Sequence, residues 1–173
     1  KKQNNIEFIL SDDIWEKRIP EEVKEQTRRM KPDEEIVLDD IRIRTLRSTD
    51  EGVAFLVSVE GKTIYHAGDL NDWYWKEESE EWNQEMSKHF HEYIEPLRDR
   101  EIDAAFIPLD PRQEEYYTLG MDYFLSLTKT EKVYPMHFWR KPEVIDRWME
   151  EHPKSQDRDR IVRITEEGEI FEQ

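Results

Sequence analysis

Two short segments put a ligand-competent side chain directly after an apolar run. In Tyr65-His-Ala-Gly-Asp69, continued by Leu70-Asn71-Asp72-Trp73, a run with strand character ends in Gly-Asp. Glycine lets backbone approach a ligand closely, and the carboxylate of Asp69 then emerges at the strand end, where a hard oxygen donor suits a divalent cation. An aspartate that only closes a turn has the same spacing. In Val133-Tyr-Pro-Met-His137-Phe-Trp139 an imidazole takes the corresponding place. His137 there suits metal ligation or general-base work, and equally a structural hydrogen bond between aromatic rings. A third segment, Asp110-Pro-Arg112, follows another apolar run. Asp110 and Arg112 could together orient a substrate bearing phosphate or carboxylate, which the guanidinium binds bidentately, or an internal Asp or Arg salt bridge could fix the loop. Trp73, Tyr74, Trp75 and Trp139 crowd these loops, either as walls of a substrate pocket or as loop anchors.

These side chains meet only if the elements beneath them end on one rim. Residues 6–10 read as a short buried strand and residues 20–30 as a helix, with Pro20 at its start, acids early and bases late. Residues 35–38, 41–46, 53–59 and 62–67 alternate apolar and polar positions around an acidic turn and a Glu60-Gly61 turn, which predicts an antiparallel meander. Residues 77–100 read as a helix that Pro96 kinks or ends. Strands at 104–108 and 133–136 alternate with helices at 116–127 and 142–151, with further strands at 161–164 and 169–171 and a loop at 152–160. A meander followed by β-α-β-α units predicts a mixed α/β (α+β) sheet with helices packed on one face.

Composition narrows the function. The chain of 173 residues has the length of one domain. Hydrophobic residues make up 36% and charged residues 39%, so the core must be lean; six Trp, seven Tyr and seven Phe supply much of its bulk. A net charge of −16 repels phosphate backbones and anionic lipid, so neither nucleic acid nor membrane is the expected partner. A small-molecule substrate is. Cysteine is absent, which removes disulfides, thiolate nucleophiles and Cys-ligated zinc. No membrane-length apolar run or export leader is present, and a cytoplasmic location is the expectation.

The combination I-Y-H-A-G-D-L-N at 64–71, A-F-I-P-L-D-P-R at 105–112 and Y-P-M-H-F-W at 134–139 resembles the later half of metallo-β-lactamase-fold hydrolases. The resemblance is nearest to the branch containing ascorbate-6-phosphate lactonase-like proteins and runs over residues 6–171. It implies the C-terminal portion of an αββα sandwich. It also implies one or two divalent ions, Zn or Mn, with Asp69 bridging them and steering the attacking water and His137 holding the second. The family's H-x-H-x-D-H cluster is absent. His89-Phe-His91 has part of its spacing, but on a helix those side chains diverge by about 200°. The intermediate family ligand, usually His, falls in Arg47-Ser-Thr-Asp-Glu-Gly52, where Asp50 is the nearest replacement. His66 is left as a core histidine or a group supporting the ligands.

The expectation is therefore one domain over 1–173, beginning just downstream of the missing cluster, with one sheet face or edge exposed. Such a face should pair with the missing N-terminal portion or with another copy as a homo-oligomer. The expected function is metal-dependent hydrolysis of a lactone or phosphorylated metabolite. The alternatives are a non-catalytic remnant or interaction module, and an unrelated α+β domain.

Overall fold

The computed structural model describes residues 6–171. Strand β1 (Phe8–Ser11) and strand β2 (Thr27–Met30) form a parallel two-stranded ribbon, in register from Phe8 opposite Thr27 to Ser11 opposite Met30. The predicted helix over 20–30 is realised only as a 3-10 segment, Glu21–Gln26, and the chain then enters β2. Complementary end charges contribute tenths of a kcal/mol, and so short a helix is marginal by itself. Pairing with β1 and full burial of Met30 outweigh them.

The meander forms as the alternation predicts. Strands β3 (Glu35–Leu38), β4 (Ile41–Arg47), β5 (Val53–Val59) and β6 (Lys62–His66) are antiparallel neighbours. The β5–β6 turn has Glu60 at φ 50° and Gly61 at φ 78°, the two positive values a tight two-residue hairpin requires. Helix α1 (Glu80–Ile94) starts where the Ser79 side chain accepts from Trp82 N. It ends in a 3-10 turn, Glu95–Leu97, at Pro96, because proline lacks the N–H that would continue the helix.

Then the sheet turns parallel. Strand β7 (Glu101–Pro108) lies beside β6, and strand β8 (Lys129–Met136) beside β7, with helix α2 (Leu119–Leu127) between them in sequence and helix α3 (Glu143–Glu151) after. The strand order is β3-β4-β5-β6-β7-β8. The strands expected at 161–164 and 169–171 do not form. Ile161 makes a single parallel bridge to Val133, Glu169 folds back onto Thr165 through a turn with Gly168 at φ 82°, and Ile170 is exposed. A turn tied by its own side chains removes the extended backbone that sheet pairing needs.

Helices cover one face. Leu46, Leu56, Tyr65, Ile107 and Val133 pack there with Phe90, Ile94, Met121, Phe124 and Trp148. Across the other face, strand registers align Val57, Ile64 and Ala104, and, one row over, Phe55, His66, Phe106 and Tyr134. All of these but the buried Ala104 are half-buried or exposed, and Ile64, Phe106, Tyr134, Met136, Phe138 and Phe171 line an open hollow of about 1150 Å³.

Candidate metal centre

The rim of the site is the carboxyl end of three parallel neighbours. β6 leads to Asp69, β7 to Asp110 and β8 to His137. Pro108 pairs with Met136, and Leu109 N donates to Met136 O at 2.9 Å. Asp110 and His137 therefore leave adjacent strands at the same level.

The backbone at Asp69 is fixed from several sides. Gly68 adopts φ 58°, and a Cβ there would lie 2.9 Å from Val53 O, so both the turn and the close approach require glycine. Asp69 O accepts from Trp73 Nε1 at 2.8 Å and from Thr49 Oγ1 at 3.3 Å. Two residues on, Asn71 is buried and donates to Gln113 Oε1 at 3.0 Å, while Gln113 Nε2 donates to Asp72 O at 2.7 Å. Gly120 of α2 packs against this amide network; a Cβ there would lie 1.8 Å from Asn71 Oδ1. The Asp69 carboxylate itself projects outward, its side chain 37% exposed.

His137 begins a bend in which His137, Trp139 and Arg140 all have positive φ (67°, 48° and 62°). Its Nε2 lies 3.4 Å from Asp69 Oδ1, and its Nδ1 lies 2.9 Å from Asp110 Oδ2. The Asp110 hydrogen bond first, and Asp69 second, push the imidazole up to about 9, against the opposing effect of burial.

Asp110 is fully buried. Burial raises its pKa, but hydrogen bonds from His137 and Arg112 more than offset this and hold it well below the usual carboxylate range. Arg112 donates from its backbone N and Nε to Asp110 Oδ1 (2.9 and 3.0 Å), and from Nε and Nη2 to Oδ2 (2.9 and 2.5 Å). Trp139 Nε1 donates to the same Oδ2 at 3.2 Å.

These contacts change several sequence expectations. Asp110 cannot meet a substrate, because its oxygens face protein donors. Arg112 is turned onto Asp110, the internal-pair alternative, with its guanidinium over the Trp139 ring at 4.6 Å. Trp73 is 3% exposed and anchors the Asp69 loop, so it is not a pocket wall; Trp139, 60% exposed, can touch a ligand. Asp50 lies in an exposed turn. Among the described residues no group of three His, Asp or Glu side chains is arranged to hold a metal, so Asp50 does not join Asp69 and His137. Its neighbour Thr49 contributes instead, donating to Asn71 O at 2.7 Å. His66 accepts from Gly68 N at 3.0 Å and stacks on Phe106, a supporting group of the loop. Thr49, Asn71 and Gln113 escaped sequence reading because a buried amide pair 42 residues apart leaves no local signature.

Asp69 and His137 fit part of a cation site. Two ligands of one tetrahedral ion, each about 2.1 Å from it, sit roughly 3.4 Å apart, and the observed separation is 3.4 Å. They would supply two of the four donors such an ion takes.

No family model matches the sequence, and no curated protein matches it. Solved structures do. A protein from Parabacteroides distasonis, provisionally described as a metal-dependent hydrolase, is 14% identical, with a TM-score of 0.56 over 90% of this chain and 63% of its own. A Thermotoga maritima protein provisionally described as a Zn-dependent hydrolase of the metallo-β-lactamase superfamily is 17% identical, with a TM-score of 0.42 over 66% of this chain and 52% of its own. The Bacillus subtilis metallo-β-lactamase fold protein YhfI is 10% identical, with a TM-score of 0.37 over 66% of this chain and 45% of its own. The chain thus spans about half to just under two thirds of the length of these structures. Its architecture, an antiparallel meander running into parallel strands with helices on one face, is a portion of the fold of the Parabacteroides distasonis protein.

Proposed function

We propose that this chain carries part of the centre of a metal-dependent hydrolase acting on a small molecule, with Asp69 and His137 as metal ligands. The observation that carries the reading is the convergence of His137 Nε2 and Asp69 Oδ1 at 3.4 Å on a shared strand-end rim. Imidazole and carboxylate together suit Zn²⁺ or Mn²⁺. A bound divalent ion supplies a water acidified to a pKa near 7 and polarises the scissile bond. Asp69, besides holding such an ion, would have a second carboxylate oxygen able to hold a proton or orient a water molecule at the rim. Trp139 stands beside His137, rings 5.6 Å apart at 89°, where it shields one side of the site from bulk water. Lactones and phosphorylated metabolites are the proposed substrate classes, by the resemblance of the three motifs.

Zn²⁺ and Mn²⁺ titration by calorimetry tests the reading, with Asp69→Asn and His137→Ala alongside. Weaker binding in both variants is expected; equal binding in wild type and both variants removes the two residues from any metal site. A second reading, an interaction module without catalysis, is favoured by the lack of a third donor among the described residues. Absence of binding by the unaltered chain would support it.

A further inference from the structure

We infer that Asp110, clamped by Arg112 and Trp139, is a positioning residue that engages the inner ring nitrogen of His137 and thereby presents the outer one toward Asp69. This rests on the metal-site reading above for its purpose, though not for its geometry. An imidazole has two nitrogens, and a ring free to turn about its bond to Cβ offers either one to the rim. Here Nδ1 is committed inward at 2.9 Å to a carboxylate with no exposed surface. A neutral ring with Nδ1 protonated leaves its lone pair on Nε2, the atom that faces Asp69.

The donor arrangement argues that this is more than a salt bridge. Arg112 alone would neutralise Asp110, through the fork from Nε and Nη2. The loop after β8 nevertheless runs through three left-handed residues, His137, Trp139 and Arg140, a conformation disfavoured for residues that carry a Cβ. The bend delivers two further donors, His137 Nδ1 and Trp139 Nε1, to the same oxygen, Oδ2. Arg112 also lies over the Trp139 ring, so the side chains that bind Asp110 hold one another. With Asp110 supplied by the end of one parallel strand and His137 by the end of the next, any slip between β7 and β8 would separate them.

The test uses the whole chain and two variants, Asp110→Asn and Trp139→Phe. The first readout is the His137 imidazole seen by 15N-edited NMR. In the wild type, an Nδ1 proton shifted downfield and protected from exchange with water is expected. Asp110→Asn should lose the shift and the protection, and Trp139→Phe should weaken both without abolishing them. The second readout is Zn²⁺ affinity, expected to fall about 10–100-fold in Asp110→Asn and less in Trp139→Phe. A folded Asp110→Asn protein that keeps the protected proton and wild-type affinity overturns the inference. Should Asp110→Asn fail to fold, Trp139→Phe decides alone, and an unaltered Nδ1 proton in it overturns the inference. If the wild type binds neither Zn²⁺ nor Mn²⁺, the metal reading fails, and the NMR readout alone still decides whether Asp110 orients the ring.

Discussion

The loops after β6 and β8 reach the same rim by opposite means. After β6 the backbone is what the protein grips: Asp69 O is held by Trp73 and Thr49, and neutral amides of Asn71 and Gln113 lock the following turn against Gly120. The Asp69 carboxylate is left outside that network. After β8 the side chain is gripped: His137 is bonded through its own ring to a buried charged cluster, while the backbone bends through disfavoured angles. A carboxylate, whose two oxygens are equivalent, needs only its Cα in place. An imidazole has two distinct nitrogens, and its ring must be set as well.

Three perturbations sharpen this contrast. The largest effect is expected from Arg112→Met. It leaves the buried Asp110 carboxylate without its guanidinium and should cost about 2–4 kcal/mol, somewhat under the usual cost of breaking a buried pair because Arg112 is half exposed and His137 remains. Chemical denaturation measures this. NMR shifts should move around His137 and stay in place around Asn71; the reverse pattern would dissolve the distinction. Next is Gly120→Ala, which forces a methyl into Asn71 and should cost about 1–3 kcal/mol. Its shifts should spread through Asp69–Asp72 and leave the His137 ring proton unchanged.

The smallest effect is a pH slope at His66, which burial keeps below the usual histidine range. A depressed folded pKa means the unfolded chain binds the proton first. Stability is therefore full above about pH 6.5 and falls as pH drops through the folded value. His66→Gln should flatten the dependence of the thermal midpoint on pH between about 7 and 5; an unchanged slope would assign it to other groups.

The elements beneath the rim were largely legible, because alternation over β3 to β6 and apolar runs at β7 and β8 report burial directly. Failures occurred where local chemistry competes with distant partners. Residues 27–30 carry helix-favouring charges but pair with β1, and residues 161–171 have strand-like composition but turn upon Thr165 and Glu169. The rim was legible in part. Strand-end positions made Asp69 and His137 visible, and the internal pairing of Asp110 with Arg112 was one of two readings. That Asp110 would meet His137 follows only from the register of two parallel strands 28 positions apart in sequence, Pro108 beside Met136. No single segment encodes that register.

Because Asp110 directs its acceptors inward, its charge is spent locally while that of Asp69 stays open to solvent. Around that open charge lies a molecule with sixteen excess negative charges. Cations would be drawn toward such a surface and anionic solutes held off, an asymmetry of arrival that dissolved electrolyte screens beyond a Debye length of about 8 Å at physiological ionic strength.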